Sequence, residues 1–156
     1  MPSLSSGILM YRQEQEEVLV LLVHPGGPFW KRKDAGAWSI PKGEMDRHED
    51  AATAARREFA EELGEVPAGA LRSLGSLRQR GGKQVEAFAL EGDFNVEDVR
   101  SNTFAMEWPP RSGRSETFPE IDRAEWFSLK CARDKILASQ IPFLDRLEEL
   151  LSKAPR

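Results

Sequence analysis

Apolar residues near the start of the chain are grouped in runs that have the length of β-strands. Residues 5–11 and 17–24 are rich in Ile, Leu and Val, and the polar residues 12–16 between them predict a turn. The Pro-Gly-Gly-Pro sequence at residues 25–28 then ends the regular pattern. The chain is therefore predicted to begin with two strands and to continue into a loop that extends to Gly36.

Two later segments have the composition and spacing of helices. Residues 50–63 are rich in alanine, which favours a helix, and Gly64 lies where a left-handed C-cap residue is expected. Asp46 followed by Glu49 resembles a capping pair, which predicts that this helix starts before residue 50. Residues 142–151 place leucine and phenylalanine on one face, so they predict a last helix.

The rest of the pattern alternates between strands and short helices. No internal repeat is present and no linker is long enough to separate two domains, so residues 1–156 are expected to form one α/β or α+β domain. The other predicted elements, in chain order, are a short extended segment at residues 38–40, a hairpin of residues 71–79 and 84–90, strands at 103–108 and 124–128, and a short helix at 129–137.

The composition narrows the class of protein. Hydrophobic residues make up 40% of the chain and charged residues 31%, as in ordinary globular proteins. The longest apolar run, residues 18–23, is far shorter than the roughly 20 residues that cross a bilayer, and the N-terminus lacks the pattern of a signal peptide. With Cys131 as the only cysteine, no internal disulfide can form, so a reducing, cytoplasmic setting is expected.

The net charge of −4 gives the chain no general attraction for nucleic acid. We therefore expect no nucleic-acid polymer as a partner, and the short apolar runs predict no association with a membrane. The sequence leaves open whether the chain is a monomer or a homodimer. Acidic residues are nevertheless concentrated between residues 44 and 65, a segment that contains the predicted alanine-rich helix.

Three glutamates on this helix share one face. Glu58, Glu61 and Glu62 have the i, i+3, i+4 spacing, and carboxylates that converge in this way repel one another unless a cation lies among them. Carboxylate oxygens suit Mg²⁺, with Mn²⁺ as the alternative. Arg57 precedes Glu61 by four residues and can orient it. Three glutamates alone would favour a solvated acidic helix face, so the decision depends on the wider pattern.

That wider pattern resembles the Nudix box, G-x5-E-x7-R-E-U-x-E-E-x-G-U, in which U is a bulky aliphatic residue. By chance, agreement at all seven fixed positions has a frequency on the order of one in 10⁸ per starting point. Pro41-Lys42 before the box and residues 124–129 before a helix are also similar to the family, so the resemblance covers nearly the whole chain. The fixed positions are occupied by Gly43, Glu49, Arg57, Glu58, Glu61, Glu62 and Gly64.

The chain departs from the box at two of the bulky aliphatic positions. Phe59 is aromatic, and Glu65 is not apolar at all. Val66 is therefore expected to supply the core contact that Glu65 cannot make. Neither departure falls on a residue expected to bind metal, so the departures concern packing more than chemistry.

The resemblance implies a fold and a reaction. The fold is an α/β/α sandwich around a mixed β-sheet, and the reaction is Mg²⁺-dependent hydrolysis of a nucleoside diphosphate linked to another group. The resemblance further implies that Glu49 and Arg57 support the site. As metal ligands it implies Glu58, Glu61, Glu62 and the carbonyl of Gly43.

The general base and the substrate-binding residues are not fixed by the box. Glu58 is the first candidate for the base and Glu120 the second, and Glu116 and Glu107 are weaker alternatives. Basic and aromatic residues in loops are candidates for binding phosphates and stacking on a base, although each is also explained as a surface or packing residue. These candidates are Lys42, Arg111, Arg114, Trp108 and, as an alternative stacking residue, Trp30. Trp38 and Trp126 are expected in the core, and His24 and His48 at the surface or at strand ends.

Several substrates agree with this pattern. Residues 38–43 are similar to the same region of Nudix enzymes that act on dinucleoside polyphosphates or diphosphoinositol polyphosphates. We favour dinucleoside polyphosphates or nucleoside triphosphates, and diphosphoinositol polyphosphates and ADP-ribose are the alternatives. A Nudix module that binds a nucleotide without cleaving it, and a scaffold with an acidic helix, are less favoured because every fixed box residue is present.

Overall fold

A mixed six-stranded β-sheet forms the centre of the computed structural model, which describes residues 4–153. The strands are, in chain order, β1 (Leu4–Glu14), β2 (Glu17–Pro25), β3 (Lys42–Glu44), β4 (Arg72–Arg78), β5 (Gln84–Glu91), β6 (Thr103–Glu107), β7 (Ser115–Pro119) and β8 (Ile121–Ser128). The helices are α1 (Ala51–Leu63), α2 (Leu129–Lys135) and α3 (Ile141–Ser152).

Strand β1 is the centre of the sheet. It pairs with β5 in parallel and with β2 and β3 antiparallel, which makes the sheet mixed. The main path runs β4-β5-β1-β2-β8, and β3 adds to β1 beside that path. Strands β6 and β7 form a separate two-stranded hairpin next to the start of β8.

Helices cover both faces of the sheet. Successive side chains of a strand point to opposite faces, so each central strand supplies two cores. Ile8 of β1 packs in one core with Phe59 and Leu63 of α1. Leu9 packs in the other core with Phe143 of α3. The architecture is therefore the α/β/α sandwich that the sequence predicted.

Helix α1 starts later than its capping pattern predicted. Asp50 is the N-cap, since its Oδ1 accepts a hydrogen bond from the Thr53 amide at 2.7 Å. Asp46 and Glu49 form a turn before the helix, in which the Asp46 amide donates to Glu49 Oε1 at 3.0 Å. At the other end, Gly64 adopts φ 89°, which confirms the predicted left-handed C-cap.

The two departures from the box affect only local packing. Phe59 is fully buried, so an aromatic ring fills the position well. The expectation for Val66 is wrong, because its side chain is 70% exposed. Pro67 is the buried residue after the helix, and Arg56 donates to its carbonyl oxygen at 2.8 Å. The turn is closed by this bond and not by an apolar contact of Val66.

Two strands were missed by the sequence analysis, β3 and β7. Strand β3 has three residues and is stabilised only by pairing with β1. Strand β7 reads Ser-Glu-Thr-Phe-Pro and has no alternation of apolar residues. The predicted strand at residues 124–128 is also longer than expected, because β8 starts at Ile121. Within the residues that the structure describes, no helix has the length and apolar character needed to cross a membrane.

His24 lies at the end of β2, as one of the two predicted positions had it, but it is buried and not at the surface. Its Nδ1 lies 2.8 Å from Asp122 Oδ1, and its Nε2 lies 2.6 Å from the carbonyl oxygen of Lys33. The ring also meets Trp38 edge-on, with a centroid separation of 5.1 Å. His24 therefore links the end of β2 to the start of β8 and holds the loop that follows β2.

We expect His24→Leu to lower the free energy of unfolding by about 1–3 kcal/mol, because the polar contacts of the buried imidazole with Asp122 and the Lys33 carbonyl are lost. Urea unfolding followed by circular dichroism measures this change. His48→Leu is the matched control, since His48 is exposed, and it is expected to change stability by less than about 0.5 kcal/mol. Equal losses in the two variants would contradict the anchoring role of His24.

Candidate active site

The short strand β3 lies directly against the acidic face of α1. A Cβ atom placed on Gly43 would lie 1.9 Å from Glu58 Oε2, far inside the contact distance of real atoms. Only glycine lets the backbone of β3 approach the carboxylate so closely. The structure thus brings together the first fixed position of the box and Glu58, which are fifteen residues apart in the chain.

Arg57 orients the carboxylates around it. Its Nε donates to Glu49 Oε2 at 2.7 Å, and its Nη1 donates to Glu58 Oε1 at 2.8 Å and to Glu61 Oε1 at 3.2 Å. Its Nη2 also donates to the Glu44 carbonyl oxygen in β3 at 3.0 Å. Hydrogen bonds from Arg57 and the Asp46 amide lower the pKa of Glu49 to about 2. Glu49 and Arg57 therefore have the supporting geometry that the sequence predicted.

Glu62 lines a cavity beside β3. Its Oε1 accepts a hydrogen bond from the Lys42 amide at 3.1 Å. The pKa of Glu62 is raised to about 8, chiefly by burial; the amide and ammonium of Lys42 oppose this rise, and the carboxylates of Glu58 and Glu120 add to it. Burial likewise lowers the pKa of the Lys42 ammonium. Two ionisable groups with shifted pKa values thus lie together in a partly desolvated place, which is typical of functional sites.

This cavity has a volume of about 240 Å³ and brings distant parts of the chain together. Glu62 and Lys42 line it with Glu120, which precedes β8, and with Trp30 from the loop after β2. Glu120, the second candidate for the general base, therefore faces the same space as Glu62. We name this space the Glu62 cavity.

The weaker candidates for the base lie elsewhere. Glu107 accepts hydrogen bonds from the amides of Arg111 and Gly113, so it shapes the turn between β6 and β7. Glu116 lines a neighbouring cavity with Trp108. Neither residue is among those that line the Glu62 cavity.

The predicted substrate residues divide into two groups. Lys42 lines the Glu62 cavity, whereas Trp108 lines the neighbouring cavity and meets Phe29 edge-on at 5.6 Å. Arg111 and Arg114 lie exposed in the turn of the β6–β7 hairpin. Trp30, the alternative stacking residue, is the tryptophan that reaches the Glu62 cavity. Sequence alone did not separate Trp30 from Trp108, because both lie in loop-rich stretches.

The acidic face fits a hard divalent cation. Among residues 4–153, no three carboxylate, imidazole or thiol side chains already stand in metal-binding geometry, since Arg57 and the Lys42 amide hold the glutamates. The donor set of carboxylates beside a bare glycine backbone nevertheless suits Mg²⁺. Burial, and then the neighbouring carboxylate of Glu61, raise the pKa of Glu58, and the hydrogen bond from Arg57 opposes this rise.

Comparison with known proteins assigns this arrangement to a family. The model of the NUDIX domain matches residues 1–147, so the chain belongs to the Nudix family. The predicted Nudix hydrolase is thereby confirmed at the level of the family. Comparison of the sequence with curated proteins gives no match.

Solved structures agree on the fold. The chain is similar to a Caenorhabditis elegans Ap4A hydrolase binary complex, with 21% identity, a TM-score of 0.68, and coverage of 96% of this chain and 99% of that chain. It is also similar to the NUDIX domain of Shewanella oneidensis NrtR complexed with ADP ribose, with 16% identity, a TM-score of 0.67, and coverage of 97% and 89%. At these identities the similarity establishes the Nudix fold and leaves the substrate to other observations.

We expect Gly43→Ala to reduce hydrolytic activity strongly with little loss of stability. The added methyl group displaces the Glu58 carboxylate, which is the flexible end of a side chain, and breaks its bond to Arg57. Steady-state rates and urea unfolding measure the two effects. Gly92→Ala is the control, since its methyl group meets only the end of the Met10 side chain. Unchanged activity in Gly43→Ala would contradict the role of this close approach.

The depressed pKa of Glu49 predicts how the site responds to acid. Its pKa falls from 4.5 to about 2, so the Glu49–Arg57 pair contributes stability above pH 4.5 and loses it as the pH falls toward 2. Carbon-13 NMR titration of the Glu49 carboxyl is expected to give a midpoint near 2, and Arg57→Ala should move it toward 4.5. Arg56→Ala is the control, because Arg56 bonds to the Pro67 carbonyl. A wild-type midpoint near 4.5 would refute the pairing.

Proposed function

We propose that this protein is a Mg²⁺-dependent hydrolase, with Mn²⁺ as an alternative cation, of diphosphate linkages in nucleoside diphosphate compounds. Dinucleoside polyphosphates and nucleoside triphosphates are the favoured substrates. The observation that carries the proposal is the position of Glu62, Lys42 and Glu120 around one cavity that adjoins Gly43 and Glu58. Residues 1–156 act as one domain in this proposal, and the single cysteine favours a cytoplasmic setting.

In this proposal the box residues hold the cation. Glu58, Glu61 and Glu62 supply carboxylates, and Gly43 supplies its carbonyl oxygen. Arg57 fixes the direction of Glu58 and Glu61, and Glu49 fixes Arg57. When bound, the cation supplies positive charge that stabilises the phosphoryl oxygens of the transition state.

A carboxylate must also accept the proton of the attacking water. Glu120 is the candidate that the geometry favours, because it lines the same cavity as Glu62. Glu58 is the alternative, but its Oε1 already accepts a hydrogen bond from Arg57 at 2.8 Å. Lys42 is suited to contact a phosphate, since its side chain reaches the cavity beside Glu62.

In the sequence-based hypothesis, residues in loops bind the outer phosphates and the nucleotide base. Arg111 and Arg114 lie exposed on the hairpin turn, where they are suited to a long substrate that leaves the cavity. Trp108 lines a cavity together with Pro28 and Lys31. There it would contact the second base of a dinucleotide. These three roles stay predictions.

The charge of the cavities favours a nucleotide over a diphosphoinositol polyphosphate. Lys42 is the basic residue among those that line the Glu62 cavity, and Lys31 is the basic residue of the cavity that contains Trp108. A ring that carries many phosphates needs a denser cluster of Lys and Arg. The similar C. elegans structure is described as an Ap4A hydrolase, and the NrtR domain was crystallised with ADP ribose. ADP-ribose therefore remains the second candidate substrate.

A Nudix module that binds a nucleotide without cleaving it is less favoured. All the box carboxylates are present, and Arg57 holds two of them at hydrogen-bond distance. The supporting pair of Glu49 and Arg57 is intact as well. A module that only binds would not require this arrangement.

We expect turnover of one or more members of a panel of diadenosine polyphosphates, nucleoside triphosphates, ADP-ribose and a diphosphoinositol polyphosphate, in the presence of Mg²⁺. Glu62→Gln should lower kcat by about 100-fold or more, because it removes a charged ligand and keeps the shape. Glu65→Gln is the matched control, since Glu65 is exposed and lies three residues later. Product analysis and unfolding curves measure activity and folding.

Three outcomes of this experiment are decisive. Chelation of Mg²⁺ should abolish turnover of wild type, and the preferred substrate identifies the subclass. Full activity of Glu62→Gln would remove Glu62 from the cation site. Tight nucleotide binding by wild type without turnover would favour the module that only binds.

A further inference from the structure

Two large aromatic side chains stand exposed side by side on the loop after β2. Phe29 is 60% exposed and Trp30 is 36% exposed. Neighbouring exposed aromatic residues are unfavourable in water, and on soluble proteins such patches mark binding surfaces. By contrast, Trp38, which follows in the same loop region and was expected in the core, is 1% exposed. The exposure of Phe29 and Trp30 is therefore a feature that packing does not explain.

These side chains line a second cavity between the loop and the β6–β7 hairpin. Its volume is about 520 Å³, within the roughly 300–1,000 Å³ of small-molecule sites. Residues 25–30 form one side, and Phe104 and Met106 of β6 form the other. Glu120 is the one ionisable residue in its lining. We name this space the aromatic pocket.

The loop is fitted closely against the hairpin. The Gly26 amide donates to the Glu120 carbonyl oxygen at 2.8 Å, and a Cβ atom on Gly26 would lie 2.0 Å from the Pro119 carbonyl oxygen. A Cβ atom on Gly27 would lie 2.9 Å from the ring of Phe104. The two glycines therefore let the loop backbone lie against the hairpin, and His24 holds the far end of the same loop.

The aromatic pocket adjoins the Glu62 cavity. Pro25, Trp30 and Glu120 line both spaces. A molecule with a flat ring in the aromatic pocket can thus extend its attached phosphates past Trp30 toward Glu62. The ammonium of Lys33 lies 4.9 Å from the Trp30 ring centroid, which places positive charge beside this route.

We propose that the aromatic pocket binds the heteroaromatic ring of the nucleotide whose diphosphate is cleaved, with Trp30 and Phe104 as its walls. The proposal rests on the proposed function for the position of the diphosphate. Stacking on aromatic side chains tolerates every base, so the pocket is expected to select for a flat ring and not for one particular base. It also excludes a polyphosphorylated inositol, whose charges would face apolar walls and the carboxylate of Glu120.

Binding measurements test the pocket without turnover. Isothermal titration calorimetry compares α,β-methylene-ADP, which has a ring, with methylene bisphosphonate, which has none, in the presence of Mg²⁺. We expect Trp30→Ala and Phe104→Ala each to weaken binding of the nucleotide at least about fivefold, since a stacking partner is lost. Trp30→Phe keeps a ring and should recover most of the affinity. Binding of methylene bisphosphonate should not change in any of these variants.

The controls separate stacking from damage to the fold. Val66→Ala removes another exposed apolar side chain, far from the pocket lining, and should leave both affinities unchanged. Unchanged nucleotide affinity in Trp30→Ala and Phe104→Ala would overturn the proposal. So would an equal loss for both probes, or a loss in Trp108→Ala alone, which would place the ring in the neighbouring cavity. Absence of hydrolysis by wild type would refute the proposed function only, because these affinities are measured without turnover.

Discussion

The site depends on one guanidinium group. Arg57 bonds to Glu49 before the helix, to Glu58 and Glu61 on the helix, and to the Glu44 carbonyl of β3. Because the guanidinium is planar and carries several donors in a fixed fork, it can hold these acceptors in one geometry. Without it the carboxylates would repel one another. The same group therefore fastens β3 to α1 and fixes the directions of the Glu58 and Glu61 carboxylates.

In the proposed function, chemistry and substrate choice are built from different parts of the chain. The acidic face comes from α1, a regular element whose far side is anchored in the core by Phe59. The walls proposed to meet the rest of the substrate come from the loop after β2 and from the β6–β7 hairpin. A rigid helix preserves ligand geometry, whereas loops and hairpins can change without disturbing the core. Trp30 and Glu120 lie where the two parts meet.

The sequence predicted helix α1 and the acidic face on it, because the spacing of the glutamates lies within one helix. Glu58, Glu61 and Glu62 share a face by helical geometry alone, and Gly64 ends the helix as predicted. The predicted sandwich also followed from the resemblance and agrees with the structure. The failures were at segments that depend on tertiary pairing. Strand β3 has three residues, and β7 has polar residues and no apolar alternation, so neither gives a local signal.

The sequence by itself determined helix α1, its acidic face and the family, because the residues that define all three are close together along the chain. What only the tertiary structure decided is which distant residues join that face. It buried His24 between Asp122 and the Lys33 carbonyl, although a histidine at a strand end reads as exposed. It also placed Trp30, and not Trp108, on the Glu62 cavity. The physical reason is that burial and side-chain direction are set by contacts between elements far apart in sequence, which local spacing does not encode.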